Sequence, residues 1–335
     1  MSSTTLPLGD DALAARILPR LEAVERRLRV AVTGADELVD GPSAHLVLAG
    51  GKRLRPVLAL LAAELGEDKG EDEVVTAAVA VELTHLATLY HDDVMDSAPL
   101  RRGAPSAHEV WGNSIAILTG DLLFARASKL VASLGSAAVQ VHAATFERLC
   151  LGQLHETLGP QDGQDPIDHY IHVLADKTGS LIATSARYGA DFSGAGDEIV
   201  AMLERYGEKV GVAFQLADDV IDLSADAGAT GKTPGTDLRE GVATMPVLLL
   251  RRRAAAGTLD ADGAALLERL GGDLSSDDAL RAVVADLRAH DVVTEARELA
   301  HQWAADAVAE LSALPDGPTK DALGSFAGLM VDRLA

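Results

Sequence analysis

The chain is poor in aromatic residues: Phe, Trp and Tyr together make up 3% of its 335 residues. Strands draw on aromatic and β-branched side chains, so this scarcity, set beside abundant Ala and Leu, favours helix. There is a single cysteine, Cys150. That excludes an internal disulfide framework and a cysteine zinc site, and it fits a reducing compartment. Positive charge is also scarce. Lys and Arg number 29 against 51 Asp and Glu, a net charge of −22. Such a chain lacks the basic surface that nucleic acid requires. Long hydrophobic runs are missing too. Stretches such as Val57 to Ala63 fall far short of the roughly 20 residues of a membrane span. Met1 to Asp10 is polar, without the basic start and apolar run of a signal peptide. The expectation is a soluble, cytoplasmic protein whose residues 1–10 are disordered.

Hydrophobic residues nevertheless reach 48%, which excludes disorder as a global description. Their spacing is helical. Leu13, Ile17, Leu21, Val24 and Leu28 mark an amphipathic helix over Asp11 to Val32. Pro42 to Ala49 reads as a short helix ending at Gly50 and Gly51. Pro56 to Leu65 has proline at its first turn and glycine past its end. Val74 to Met95, Ala-rich and largely apolar, predicts a central buried helix. Further helices are expected at Ser106–Gly112, Ser114–Leu134, Ala137–Leu158, Asp168–Tyr188 and Glu198–Leu223. After a flexible loop at Asp226–Leu238, the pattern predicts helices at Val242–Ala254, Ala261–Leu270, Ser276–His290, Val292–Leu314 and Thr319–Leu334. No strand, linker or solenoid repeat stands out. The reading is an all-α fold with a single domain over 1–335.

The sharpest motif is His91-Asp92-Asp93-Val94-Met95-Asp96 at the C-terminal end of the long apolar helix. Asp92 and Asp96 are four apart, so their carboxylates share a face one turn apart. Like charges at that spacing repel, and a helix C-terminus is the wrong end for negative charge. A cation would compensate both. Hard oxygen ligands suit magnesium, which keeps waters and bridges to substrate phosphates. The pattern returns as Asp218-Asp219-Val220-Ile221-Asp222 at the end of another apolar helix. One such cluster is readily an ordinary solvated helix end; two behind buried-looking helices are not.

Several cations fall beside glycines or beside the aspartate clusters. Gly50-Gly51-Lys52-Arg53-Leu54-Arg55-Pro56 places three beside two glycines. Arg101-Arg102-Gly103 follows the first aspartate cluster, Lys177-Thr178-Gly179 lies mid-chain, and Gly231-Lys232-Thr233 follows the second cluster. Guanidinium forks and lysine point charges are what diphosphates require.

With these motifs in place, the chain resembles the all-trans polyprenyl diphosphate synthases of the isoprenyl diphosphate synthase family, from about Leu46 to Leu334. The resemblance implies a large antiparallel helical bundle around a deep central cavity, the isoprenoid synthase fold, usually as a homodimer. It implies Asp clusters facing each other across the cavity mouth and holding magnesium, about three ions to an active site. By resemblance Asp92, Asp96 and Asp218 are metal ligands, with Asp93, Asp219 and Asp222 in support. Arg101, Lys177 and Lys232 match contacts to an allylic diphosphate. Lys52, Arg55, His85 and Arg102 match the group that binds the diphosphate of isopentenyl diphosphate. Thr178 and Gln215 match residues near the reacting carbons. One departure is that the family's Glu-Gly-Lys after the second cluster here reads Glu240-Gly241-Val242, which removes one expected cation.

The implied chemistry is loss of diphosphate from the allylic substrate, attack by the double bond of isopentenyl diphosphate, and loss of a proton. No side-chain nucleophile is needed, and Cys150 reads as an ordinary buried thiol. The product tail requires apolar space. Thr88, Ala87, Thr84 and Val81 are stacked beneath Asp92 on its helix. They are small or medium, where the family's short-chain members carry bulky aromatics, so the expected product is longer than geranylgeranyl diphosphate. Leu118, Leu122 and Phe124 are candidates for the tunnel floor.

Other readings compete. One is a geranylgeranyl diphosphate synthase. A second is a class I terpene cyclase, which leaves Lys52, Arg55 and Arg102 without a task. A third is a carboxylate-bridged di-iron bundle using the Glu82/His85 and Glu298/His301 pairs. The last is a non-catalytic prenyl-diphosphate-binding subunit, which would be expected to lose aspartates from one cluster.

Overall fold

The computed structural model describes residues 8–34, 36–67, 70–224, 234–239 and 241–332. In chain order the helices are α1 (Asp11–Val32), α2 (Glu37–Leu48), α3 (Leu54–Ala63), α4 (Glu71–Met95), α5 (Ala107–Trp111), α6 (Asn113–Ser133), α7 (Ser136–Leu158) and α8 (Pro166–Leu174). They continue with α9 (Ser180–Ser193), α10 (Asp197–Ser224), α11 (Thr236–Arg239), α12 (Met245–Ala255), α13 (Ala261–Leu270), α14 (Asp277–Ala289), α15 (Asp291–Glu310) and α16 (Pro318–Val331). The all-α reading is therefore correct, with helix boundaries mostly within a few residues of the periodic pattern.

Four local expectations are corrected. The helix expected from Pro42 begins at Glu37, because the Asp36 side chain accepts the N–H of Leu38 and caps it, leaving Pro42 inside the helix. Asp168–Tyr188 is not one continuous helix: a π-helical turn at Ala175–Gly179 separates α8 from α9. A short antiparallel ribbon exists where no strand was expected, with β1 (Leu100–Arg101) paired to β2 (Ala104–Pro105). Its turn residues Arg102 and Gly103 both have positive φ, 55° and 77°, the geometry that lets a two-residue hairpin follow strand twist. The described end of the expected loop at Asp226–Leu238 contains α11.

Packing divides the chain into two compact units. The first comprises Met1–Leu149, Ser180–Glu208 and Glu310–Phe326; the second comprises Cys150–Gly179, Lys209–Ala309 and Ala327–Ala335.

In the first unit α4 is the central element, packed against α1, α3, α6 and α9. It is apolar on all sides, so Val74 to Ala87 is buried almost without interruption, with only His85 half-exposed. By length and hydropathy α4 would suffice to cross a membrane, but 78% of its most apolar window lies inside the protein. That marks it as a core helix. Close helix approach rests on glycine. A Cβ on Gly189 of α9 would lie 2.0 Å from the Ala59 carbonyl oxygen on α3. On α6, a Cβ on Gly120 would lie 2.4 Å from His91 Nε2 and 3.1 Å from the Ala87 oxygen on α4.

In the second unit the buried face of α10 from Val212 to Leu223 packs with Leu249 and Leu250 of α12 and with Leu280, Val283 and Leu287 of α14. Each fully buried leucine contributes about 2 kcal/mol.

Few aromatics do not mean idle ones. The Tyr90 hydroxyl donates to the Pro42 carbonyl at 2.5 Å, Tyr188 to Ala138 at 2.8 Å and Tyr206 to Leu323 at 2.7 Å. Each ties two distant segments within the first unit, and each buried hydroxyl is satisfied.

The α3–α9 contact gives a direct test. Gly189→Ala should destabilise the protein by about 1–3 kcal/mol, because backbone must move to admit the methyl group. Chemical denaturation measures it, and an unchanged midpoint would contradict the close approach of Ala59.

Candidate active site

The first aspartate cluster ends α4. Asp93 is fully buried, Asp92 half-buried and Asp96 exposed. Arg101 on β1 holds Asp93, with Nε 2.6 Å and Nη2 2.5 Å from the same oxygen, Oδ1. The other oxygen, Oδ2, is buried with no hydrogen-bond partner. An unsatisfied buried carboxylate oxygen is costly and suits a hard cation or an ordered water. The ribbon that follows α4 therefore turns the chain back so that its arginine meets the cluster.

Next to it lies a crowd of cations. Arg53 is 6% exposed, with φ 51°, and its Nη1 donates to Glu82 Oε1 at 3.0 Å. Its Nη2 reaches the Val47 carbonyl at 3.2 Å. Arg102 donates to the carbonyls of Leu46 and Gly50. Gly51 makes room for this guanidinium, since a Cβ there would lie 2.9 Å from Arg102 Cζ. Burial lowers Arg55 to about 10, against the pull of Glu82, and its Nε is buried without a partner. His85 is pushed well below the usual imidazole range by burial first, then by Arg55, Arg102, Arg101 and Arg53. A neutral imidazole among arginines, with an unpaired guanidinium N–H, is a site prepared for an anion. Lys52 is exposed at its edge.

The second cluster ends α10. Asp219 is 6% exposed; Asp218 and Asp222 are half-buried. The Tyr170 hydroxyl on α8 donates to both Asp219 oxygens at 2.9 Å, and the Met245 N–H donates to Oδ2 at 3.1 Å. Burial still wins: Asp219 is raised to about 8, with Asp237 and Asp218 adding to the rise.

Lys177 and Thr178 lie in the π-helical turn, Thr178 buried and Lys177 paired at 2.5 Å with Glu156 of α7. Two glycines seat this turn. A Cβ on Gly152 would lie 2.8 Å from the Lys177 nitrogen, and one on Gly211 of α10 would lie 2.5 Å from Gly179 Cα. Gln215 is half-buried one turn further along α10. Lys232 lies outside the described residues.

The structure thus gathers Asp93, Arg101, Arg102, Arg55 and His85 within the first unit, and Asp219 with Tyr170 in the second. Sequence reasoning missed Tyr170, Glu156 and Met245. Tyr170 carried one usable signal, as one of only four tyrosines in the chain. Cys150 is exposed rather than buried: it follows the buried Leu149 on α7 and turns to the next face. The di-iron reading finds no support among the described residues. Glu82 is engaged by Arg53, and Glu298 and His301 are exposed.

Of the growth-tunnel candidates, Thr84 and Ala87 are buried and Thr88 half-buried. Thr84 Oγ1 donates to the Ala80 carbonyl at 2.9 Å and Thr88 Oγ1 to His85 at 2.8 Å. The hydroxyls are turned back into their own helix, so the outward surface of both residues is methyl. Leu122 is half-buried and Leu118 is 62% exposed. Phe124 stacks on Phe146 at 3.7 Å and on His142 at 5.3 Å. These three rings border a cavity of about 460 Å³ between α6 and α7.

Residues 36–287 match the family model for polyprenyl synthetase. The chain belongs to the polyprenyl synthetase family. Its relatives agree. It is 44% identical to the nonaprenyl diphosphate synthase of Mycobacterium tuberculosis over 97% of this chain and 96% of that protein. Its fold matches geranylgeranyl pyrophosphate synthase from Corynebacterium glutamicum, solved with calcium and isoprenyl diphosphate, at TM-score 0.85 and 42% identity, covering 97% and 98% of the two chains. A decaprenyl diphosphate synthase from Rhodobacter capsulatus matches at TM-score 0.84 and 32% identity, covering 97% and 99%. The polyprenyl synthetases so matched span both shorter and longer products.

The raised Asp219 makes a pH prediction. A carboxyl with a folded pKa near 8 against about 3.8 unfolded favours the folded state fully below the lower value. That contribution is lost as pH rises toward the upper one. Without divalent ions, the melting temperature of the wild type minus that of Asp219→Asn should therefore be larger at pH 5 than at pH 8. A difference independent of pH would show that Asp219 ionises normally.

Proposed function

We propose that the protein is a trans-polyprenyl diphosphate synthase that condenses isopentenyl diphosphate with an allylic diphosphate, and that its product is longer than geranylgeranyl diphosphate. The reading is carried by two acidic clusters, each ending an apolar helix, in a chain 44% identical along nearly its whole length to a nonaprenyl diphosphate synthase.

Asp92, Asp96 and Asp218 would hold magnesium, with Asp93, Asp219 and Asp222 in support. The donor set fits: all are hard carboxylates, and Asp93 Oδ2 is buried without a partner. Magnesium does not ask for an all-protein cage, since it fills its shell with waters and substrate phosphates. When bound, the ions supply charge that stabilises a departing diphosphate. Arg101 and Lys177 bind and orient the allylic diphosphate, and the same role is proposed for Lys232. Arg55, Arg102, Lys52 and neutral His85 bind the diphosphate of isopentenyl diphosphate, placing its double bond toward the allylic carbon. Thr178 and Gln215 line the reacting carbons. The departing diphosphate takes the proton, so the chain needs no strong base of its own.

Two further features support the long product. The methyl surfaces of Thr84, Ala87 and Thr88 leave space where an aromatic would close it, and Phe124 supplies a floor at greater distance along α6. Exposed Ile115, Ile117 and Leu118 on α6 and Val139 on α7 support a homodimer in which a second copy covers these helices.

Purified protein with magnesium, farnesyl diphosphate and labelled isopentenyl diphosphate should give a ladder of products extending beyond geranylgeranyl length. Asp92→Ala, at a half-exposed position, should lose at least about 100-fold in turnover with the fold intact. No incorporation with any allylic primer would overturn the assignment.

The tunnel reading has its own test. Thr88→Phe should shorten the longest product while condensation continues. An unchanged ladder would remove Thr88 from the growth path.

A further inference from the structure

One more group of ligand-type side chains converges away from the aspartate clusters. His155 on α7, His172 on α8 and Asp176 in the π-helical turn each offer one ligand atom, all within 4.8 Å of one another. His172 and Asp176 are four residues apart, so they share a helical face, and His172 Nε2 lies 3.3 Å from Asp176 Oδ2. His155 comes from the neighbouring helix, at the crossing where Gly152 admits the backbone of the turn. Its ring centroid is 6.3 Å from that of His172 and 6.4 Å from that of His169. His169 Nε2 in turn lies 3.2 Å from the His155 carbonyl oxygen, which steadies this part of α7. The burial is graded: Asp176 is 5% exposed, His155 half-buried and His172 exposed. An ion could therefore enter from solvent and meet a fixed carboxylate.

We propose that His155, His172 and Asp176 bind a divalent transition metal of the zinc class. Two imidazole nitrogens and one carboxylate oxygen favour zinc, cobalt or nickel over magnesium. Three protein ligands leave a fourth, tetrahedral position for water. The site lies beside the catalytic machinery by chain adjacency on both sides. His155 precedes Glu156 and Asp176 precedes Lys177, and Glu156 and Lys177 form the 2.5 Å ion pair. A bound ion clamps α7 to the π-helical turn and thereby fixes Lys177. This gives the chain a second metal dependence, through positioning rather than through contact with substrate.

The metal site is tested by binding, whether or not the chain condenses prenyl diphosphates. Full-length protein is titrated with Co2+ in excess Mg2+, which saturates hard-oxygen sites, and visible absorption is recorded. Zn2+ affinity is measured by calorimetry in the same buffer. The expected result is about one equivalent of Zn2+ and a tetrahedral cobalt spectrum. In His172→Ala and His155→Ala the spectrum should be lost and Zn2+ affinity should fall at least about 10-fold. His172 is exposed, so its variant should fold as the wild type does. Asp92→Ala and Asp218→Ala should keep the cobalt spectrum. Cobalt bands that survive both histidine variants, or that vanish in the aspartate variants, place the ion elsewhere and overturn the proposal, as does the absence of any cobalt band in the wild type.

Discussion

Everything distinctive in this chain follows from carboxylates placed at the carboxyl ends of buried helices. The helix dipole opposes them there, and neighbouring carboxylates repel. Each cluster therefore needs help from outside its own helix, and the two receive different help. Asp93 is met by a full positive charge on Arg101. Among the described residues Asp219 is met by neutral donors, the Tyr170 hydroxyl and the Met245 N–H. Neutral donors do not overcome burial, which is why Asp219 rises to about 8. The clusters are alike as sequence motifs but unlike as electrostatic sites. The first comes with its own counter-charge. The second is the more dependent on an added cation to hold Asp219 ionised.

The cationic crowd around Arg53, Arg55 and Arg102 obeys the same logic with the signs reversed. Two carboxylates engage Arg53 directly, buried Glu82 and half-buried Glu25, and Glu82 also acts on Arg55 and Arg102. The remainder is anchored by carbonyl oxygens of Val47, Leu46 and Gly50 at the end of α2, where exposed carbonyls favour cations. Two residues, Arg53 and Arg102, accept left-handed backbone to reach them, at a cost of about 1 kcal/mol each. Strain of this kind persists because the surrounding contacts over-determine it. It leaves Arg55 positioned with its Nε unpartnered, beside a neutral His85.

The sequence was most legible where periodicity governs. α1 and α13 coincide with the periodic stretches Asp11–Val32 and Ala261–Leu270, and the central role of α4 follows from its unbroken apolar composition. The aspartate clusters were legible because two like-charged residues four apart are locally unfavourable and so call for a partner. What stayed hidden depends on contacts between distant segments. The π-helical turn at Ala175–Gly179 has helix-compatible residues throughout; it exists where Gly211 and Gly152 admit its backbone, which no local pattern records. The β1–β2 ribbon was obscured because Arg occupies a turn position that normally selects Asn or Gly. Tyr170 acquires its role only once α8 is set beside α10.

The overall charge of −22 then takes on a functional meaning. Diphosphates approaching such a protein meet net repulsion at long range, and at physiological salt that field fades within about 8 Å. Capture must therefore rest on short-range contacts, which suits guanidinium groups held in fixed positions. Lys52, Arg53, Arg55, Arg101 and Arg102 occupy two short stretches of the sequence, and the α2–α3 junction and the β1–β2 turn bring the arginines together around Glu82, Asp93 and His85. Arg53, Arg55, Arg101 and Arg102 are four of the 29 Lys and Arg, yet they form one positive group within an acidic chain. Such a group has the charge and donor geometry that would complement a diphosphate, the role proposed for it above. Scarcity of positive charge is thus what makes this one group of arginines informative.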